Sequence, residues 1–340
     1  MKRMFVVQFV VIALLCGLNN PLAAQSCSGT MSIERINFLG IGGTGAPGCF
    51  WLAPSDVPGD YVVACWHSFC IPPSWCPTCN DNKGGASSGS PINLTNGNTY
   101  IQQKDLNLPG LGGGLTLERT WNSIWPSILS GFQTGMFGPN WRSTYEERVF
   151  TGSGEYSGYM VYLRADGSLW VFSNGNLVAP ASFIATLTQN GTQTWTLAFQ
   201  NGEQRIFSYT SGSLTSIVDR NGNTTQLAYD GSNRLVTVTD PASRTLTFTY
   251  GGSTGKLVTN LTSSVGISLS YSYDSQGRLT TVTKPDQTTV SFTYNSQSLI
   301  TAVTDSQGKT LESHTYDSKN RGLTSARANG VDAVTITYPQ

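Results

Sequence analysis

Tyr229-Asp-Gly-Ser-Asn-Arg-Leu-Val-Thr-Val-Thr-Asp-Pro241 and Tyr273-Asp-Ser-Gln-Gly-Arg-Leu-Thr-Thr-Val-Thr-Lys-Pro285 are one pattern written twice. Each is followed by a second run, Thr245-Leu-Thr-Phe-Thr-Tyr250 and Thr289-Val-Ser-Phe-Thr-Tyr294. Outward from these, marker tyrosines continue at Tyr209, Tyr316 and Tyr338, giving about six units of 20 to 23 residues. A period in the low twenties is the mark of a repeat architecture.

Within a unit, the run ending at each tyrosine alternates Thr or Ser with an apolar residue, the period-two signature of a half-buried strand. Two positions before the tyrosines sit Leu227, Phe248, Tyr271, Phe292, His314 and Ile336; four before sit Thr225, Leu246, Leu269, Val290, Glu312 and Val334. These columns share a face and predict an apolar layer, while the other face is Thr and Ser, suited to water and to strand geometry. A turn rich in Asp, Ser, Asn and Gly follows each tyrosine. The next strand opens with Arg-Leu, and its apolar residues lie three apart (Leu235 and Val238, Leu279 and Val282). An odd offset cannot share one face of a flat strand, so a bulge, a bend or burial on both sides is expected there.

The columns Tyr229-Asp230, Asn233-Arg234-Leu235, Val238-Thr239, Asp240-Pro241 and Phe248-Thr-Tyr250, with Tyr273-Asp274, Arg278-Leu279 and Phe292-Thr-Tyr294 in phase, resemble the YD repeat of the RHS (rearrangement hot spot) family. The units at Tyr250-Gly251, Tyr294-Asn295 and Tyr316 with its late Leu323 depart from the motif. Upstream, Pro91-Ile-Asn-Leu-Thr-Asn-Gly97-Asn-Thr-Tyr100, Asp105-Leu-Asn-Leu-Pro109-Gly110, Leu115-Thr-Leu-Glu-Arg119-Thr-Trp121 and Phe137-Gly-Pro-Asn-Trp141 follow in the order of the domain that precedes the repeats in that family. The first reads as a strand, an Asn-Gly turn and a second strand. Between Met160 and Tyr209, hairpins are expected across Asp166-Gly167 and across Asn201-Gly202, as irregular repeats leading into the regular ones.

Charged residues make up 12% of the chain, about half the roughly 25% usual for soluble domains. Net charge is zero, and no basic run or nucleic-acid motif points to a nucleic-acid partner. Met1-Lys2-Arg3, the apolar run Met4–Leu18 and Pro21-Leu22-Ala23-Ala24 read as a signal peptide over 1–24. The apolar run is shorter than a membrane span requires, so no membrane association is expected after leader cleavage.

Cys16 leaves with that leader. Cys27, Cys49, Cys65, Cys70, Cys76 and Cys79 remain, an even set confined to 25–80, and read as a disulfide framework for a segment with little periodic pattern of its own. Six cysteines allow 15 pairings, and the sequence does not choose. Zinc at Cys65, His67, Cys70, Cys76 and Cys79 is the competing reading, weakened by a lone histidine. A redox role for Cys76-x-x-Cys79 lacks the βαβ context. Gly40-Ile-Gly42-Gly-Thr-Gly45 satisfies a dinucleotide fingerprint, but Ala46-Pro47 follows where a helix must begin, so it reads as a glycine loop. Residues 81–90 read as a Gly/Ser linker.

Catalytic chemistry finds little support. His314 with Glu312 on the same face has the types of a base and its orienter, but the bland reading is a degenerate repeat with a wet face. Glu146 and Glu147 are adjacent, would point to opposite faces of a strand, and do not make a glycosidase dyad.

The expectation is an all-β, antiparallel YD-repeat sheet forming a partial spiral shell, preceded by a small disulfide-stapled segment. Its parts are the leader 1–24, a cysteine-rich segment 25–80, the linker 81–90, a β domain 91–208 and repeats 209–340. The resemblance implies a non-catalytic exported shell that encloses or displays a C-terminal toxin, with no cofactor or metal. Its partners would be further RHS repeats or a toxin domain in a longer chain or split gene. Six units cannot close a shell, and the family's core-terminating segment is missing, so a truncated, split or partial chain is expected. The alternative is a secreted or surface adhesin that binds a cell-surface glycan or protein.

Overall fold

The computed structural model describes residues 31–37, 49–54, 60–66, 87–88, 92–93, 96–173, 175–179, 185–252 and 254–338. The leader, most of the linker, Cys27, Cys70, Cys76, Cys79, His67 and the glycine loop at Gly40 lie outside the described residues. The chain divides into two compact units, 1–73 and 74–340.

The first unit holds a three-stranded antiparallel sheet in the order β1 (Met31–Asn37), β3 (Asp60–Trp66), β2 (Cys49–Pro54). The expectation of little regular pattern here is revised. Ile33, Ile36, Val62 and Val63 are strand formers in short runs, too few to show a period but enough to pair. In this register Cys49 lies directly opposite Cys65.

In the second unit, β4 (Ser87–Ser88) pairs with β5 (Ile92–Asn93), and Ile92 also bridges to Thr99 across the turn at Gly97. A three-stranded sheet follows, with β7 (Leu115–Asn122) between β6 (Tyr100–Leu108) and β10 (Trp141–Ser143). The two-residue strands β8 (Thr134–Gly135) and β9 (Gly138–Pro139) pair in the connection. The rest is one antiparallel sheet of nineteen strands in chain order, from β11 (Arg148–Thr151) to β29 (Val334–Thr335). It runs unbroken through residues 208 and 209, where the regular repeats begin. Sequential order follows from the connections, because antiparallel neighbours need only a tight turn between them.

The turns are nearly all alike. Around Asp230 the Asn233 N–H donates to Asp230 O at 2.9 Å and the Asp230 N–H donates to Arg234 O at 3.0 Å. The same pair of bonds closes the turns that begin at Arg164, Phe199, Asp219, Asp240, Ser263, Asp274, Lys284, Asn295, Asp305 and Asp317. The fourth residue of each has positive φ: Gly167, Gly202, Gly222, Asn233, Ser243, Gly266, Gly277, Gln287, Ser298, Gly308 and Asn320. This is a type I turn closed by a bulge, the three-residue hairpin loop.

The bulges explain the odd offset. Tyr229 pairs with Leu235 and Ala228 with Thr237, so Val236 is the extra residue. In the next units Thr259, Thr280, Thr301 and Leu323 take that place. One extra residue resets the alternation, so Leu235 and Val238, and Leu279 and Val282, are buried together. The apolar columns hold as well: Leu227, Phe248, Tyr271, Phe292 and His314 are buried, as are Leu246, Leu269 and Val290.

What covers this apolar face is the β6–β7–β10 sheet. Arg244 Nη2 donates to Leu108 O at 3.2 Å, the Phe137 ring lies 4.8 Å from that of Tyr271, and the Gly322 N–H donates to Gly97 O at 2.8 Å. From Gly97 to Leu108 an extended chain covers roughly 35 Å, and the seven strand spacings from β21 (Thr245–Gly251) to β28 (Gly322–Arg327) cover about the same. The hairpin therefore lies across the repeat strands, and Trp121, Trp141 and Phe137 are fully buried beneath it. At its far end Gly322 stands where other units have Leu or Ile; a Cβ there would fall 2.4 Å from Thr99 Oγ1.

The sheet also curls. The Val149 N–H of β11 donates to Gly212 O and the Leu214 N–H donates to Glu147 O, so the first strand's outer edge meets the turn between β17 (Gln204–Ser208) and β18 (Leu214–Val218). In a flat sheet those segments would stand roughly 30 Å apart.

Candidate functional site

Each predicted repeat residue has a defined task at the hairpin junctions. Asp230 Oδ1 accepts the Ser232 and Arg234 N–H groups at 2.9 and 3.0 Å, and Oδ2 accepts Arg234 Nε–H at 2.8 Å. Asp274 repeats this with Gln276 and Arg278 at 2.9, 3.0 and 2.6 Å. The Arg234 guanidinium then lies 4.9 Å over the Tyr250 ring, Arg278 lies 4.9 Å over Tyr294, and Arg321 lies 3.9 Å over Tyr338. Each tyrosine hydroxyl reaches back to a backbone carbonyl: Tyr229 to Leu214, Tyr250 to Leu235, Tyr273 to Val258 and Tyr294 to Leu279, at 2.6 to 2.8 Å. Leu235, Leu279, Phe248 and Phe292 are buried, and Phe292 meets the Trp141 ring edge-on at 5.2 Å.

The electrostatics follow from these contacts. The Arg234 backbone N–H and side chain hold the Asp230 carboxyl below the usual carboxylate range. At Asp274 burial works against the charge, and the bonds from Arg278 outweigh it, so that carboxyl is also held low. Burial pushes the tyrosines up, Tyr294 to about 12.

A second cluster joins the β6–β7 hairpin to the repeats, and the sequence reading missed it. Asp105 is the bulged residue of β6, between Lys104 and Leu106, and the bulge re-aims its side chain inward. There it takes Arg119 in a bidentate pair, 2.5 Å from Nε and 2.8 Å from Nη2, and accepts the Tyr271 hydroxyl at 2.9 Å. The Arg119 guanidinium, 1% exposed, lies 4.6 Å over Trp141. Burial works against its charge, but Asp105 outweighs it and holds the proton more tightly than usual. The available signal was the alternation of Leu115, Leu117 and Arg119, which places an arginine in the buried phase. A buried guanidinium demands a carboxylate.

The remaining sequence candidates fall as follows. His314 Nε2 lies 3.5 Å from Glu312 Oε2, so the pair is brought together, yet neither ring nitrogen has a hydrogen-bond partner and the side chain is fully buried. Glu146 and Glu147 sit in the connection after β10 and not in a strand. They diverge all the same: Glu146 accepts the Met136 N–H and the Ser143 hydroxyl, and Glu147 pairs with Arg205. Among the described residues no group of three or more His, Cys, Asp or Glu side chains could hold a metal, and no helix is long and apolar enough to cross a membrane.

Comparison with known proteins finds two families. Residues 89–172 match a domain of unknown function, DUF6531. Residues 209–245, 229–267, 253–289 and 273–310 each match the RHS Repeat. The tRNA nuclease WapA of Bacillus subtilis (strain 168) is 29% identical over 147 residues, covering 42% of this chain and 6% of that protein. The tRNA3(Ser)-specific nuclease WapA of Bacillus spizizenii matches over the same extent. Among solved structures, a Tc holotoxin pore of Photorhabdus luminescens aligns with TM-score 0.30 and 13% identity over 67% of this chain and 14% of its own. The TcdB2–TccC3 crystal structure aligns with TM-score 0.28 and 15% identity over 70% of this chain and 13% of its own. The chain thus spans a small fraction of the proteins it matches.

Proposed function

We propose, on the premise that this chain belongs to the RHS or YD-repeat family, that it is an exported, non-catalytic N-terminal part of a β-shell that encloses or displays a C-terminal toxin or effector. The observation that supports this most is the curled nineteen-stranded sheet, whose apolar face is turned inward onto the chain's own N-terminal hairpin. A wall of this kind extends by adding hairpins, of which those that turn at Asp230, Asp274 and Asp317 are held by the same Tyr, Asp and Arg contacts. On this reading the nuclease activity in the WapA names resides outside the 147 matched residues.

The test begins with the DNA downstream of codon 340. If the frame continues, the whole product is expressed and treated with protease. Protection of the C-terminal segment until the sheet is denatured is expected. Ready digestion of that segment from intact sheet would reject enclosure.

The adhesin reading rests on one feature. Trp195 and Tyr209 stack at 6.1 Å and 15° on the sheet, with Tyr209 40% exposed. Paired aromatic faces suit a sugar ring. Glycan-array binding lost in Tyr209→Ala would favour that reading.

A further inference from the structure

A cleft of about 850 Å³ opens between segment 131–148 and the hairpin turns that carry Tyr229, Tyr250 and Gly277. Arg142, Arg148, Arg234 and Lys256 line it, with Glu146 and Glu147 as the carboxylates. The carboxylates are already engaged. Glu147 Oε2 pairs with Arg205 at 3.0 Å. Glu146 accepts the Met136 N–H at 2.7 Å and the Ser143 hydroxyl at 2.8 Å, and comes only within 3.7 Å of Arg142. Arg234 is clamped to Asp230.

Arg148 and Lys256 therefore have no carboxylate within ion-pair distance among the described residues. Arg148 donates to the Ser213 hydroxyl at 2.6 Å and lies 5.2 Å over the Phe132 ring, contacts that position it without neutralising it. Burial, and then the neighbouring Arg142 charge, loosen its proton below the ordinary arginine value. Arg142 itself is 6% exposed; its Nη atoms donate to the Phe132 and Glu146 carbonyls, which carry no full charge, and its Nε has no hydrogen-bond partner. Two partly uncompensated guanidiniums side by side oppose folding unless counter-charge is supplied.

We propose that this cleft binds a small oxyanion, a molecule bearing a carboxylate or a phosphate. Arg148 and Lys256 contact it directly, and Arg142 adds charge from behind. Planar guanidinium forks suit both anions. The cleft volume is that of small-molecule sites, roughly 300–1,000 Å³. Tyr229 and Tyr250 have committed their hydroxyls to backbone carbonyls, so they offer ring surface to the apolar body of the ligand. The site stands on this geometry alone, whatever the sheet encloses.

The test uses the full chain in chloride buffer, titrated with sodium phosphate and with sodium citrate at matched ionic strength. A saturable rise in melting temperature with either anion is expected, and which one acts tells phosphate from carboxylate. Lys256→Gln, at an exposed position, should keep the chloride melting temperature and weaken binding tenfold or more. Arg148→Gln should weaken it further. No difference between either oxyanion and chloride overturns the proposal, as does unchanged affinity in Lys256→Gln. Should Arg148→Gln fail to fold, the Lys256 result decides.

A separate observation lies in the first unit. Cys49 and Cys65 are direct register partners on adjacent antiparallel strands. Opposed Cα atoms in such a pair stand about 4.5 or 5.5 Å apart, and both values lie inside the disulfide range of about 4.4–6.8 Å. We infer that Cys49 and Cys65 form one disulfide, leaving Cys27, Cys70, Cys76 and Cys79 to pair among themselves. Mass spectrometry of an unreduced digest of the exported protein should find the 49–65 cross-link. A different partner for either cysteine, or two free thiols, overturns it.

Discussion

In the repeats one set of contacts closes hairpin after hairpin, whereas in the β6–β7–β10 sheet almost no contact occurs twice. Asp230 and Arg234 lie four residues apart, and so do Asp274 and Arg278. Asp105 and Tyr271 lie 166 residues apart, and Asn98 Nδ2 donates to Asn122 Oδ1 across 24. The difference teaches that the repeats are specified locally and many times over, while their cover is specified once, by buried polar contacts without a duplicate. Loss of one repeat contact should be absorbed locally, and loss of one cover contact should be felt across the unit.

The sharpest break is Asp105→Ala. It leaves the buried Arg119 charge and the Tyr271 hydroxyl without their shared acceptor, and removing one partner of a buried pair costs about 3–5 kcal/mol. Chemical denaturation should show a loss at the upper end of that range, with hydrogen-exchange protection falling in both sheets. Replacing both partners, Asp105→Leu with Arg119→Met, should recover much of the loss. If the double substitution is as damaging as the single, the charge is not what joins the sheets.

Phe292→Ala comes next, at about 3–5 kcal/mol, through lost transfer energy and a cavity against Trp141. Its exchange footprint should reach the neighbouring strands and the β10 contact, while β12 (Met160–Leu163) and β13 (Leu169–Ser173) stay protected. Thr247→Ala and Ser291→Ala, on the other face, should each cost well under roughly 1 kcal/mol. Equal sensitivity of Phe292 and Ser291 would defeat the face assignment.

Smaller still is Tyr294→Phe, which removes the bond to Leu279 O. About 1 kcal/mol is expected in denaturant melts, and the other tyrosine contacts should persist in exchange data. A cooperative loss of the whole array would contradict local specification.

Acid gives the mildest perturbation. Asp230, Asp274 and Asp317 are held below the ordinary carboxylate value by bonds within their own turns. Their contribution is fully present above the unfolded value of about 3.9 and is lost as the pH falls through the lower folded values. Carboxyl carbon shifts followed by NMR should titrate below that of a free aspartate. The turn amides at Ser232 and Gln276 should lose their acceptors in step. Titration at the free value would show that the turns do not need the charge.

The same contrast decides what could be read from the sequence. Strand columns, hairpins and the need for a bulge after Leu235 were legible because each recurs in phase. That so many turns share one geometry was not: its left-handed position holds Gly222, Gly277 and Gly308 but also Ser243, Gln287 and Ser298, residue types that do not announce positive φ. The Arg119 cluster was half legible. Alternation placed the arginine inside, but only the Asp105 bulge and the fold bring carboxylate and tyrosine to it. Arg148 and Lys256 carried no signal, since neither belongs to a motif and their cleft exists only after the sheet curls.

The tyrosine hydroxyls give the molecule a direction. All six marker tyrosines, Tyr229, Tyr250, Tyr273, Tyr294, Tyr316 and Tyr338, bond a carbonyl that lies 15 or 16 residues earlier in the chain, and none reaches forward. The covering hairpin is earlier still. A polypeptide that emerges N-terminus first from a ribosome or an export channel can therefore lay its foundation, then fasten each new hairpin to one already in place. Construction advances without backtracking, and the half-built wall is at every moment finished behind its growing end.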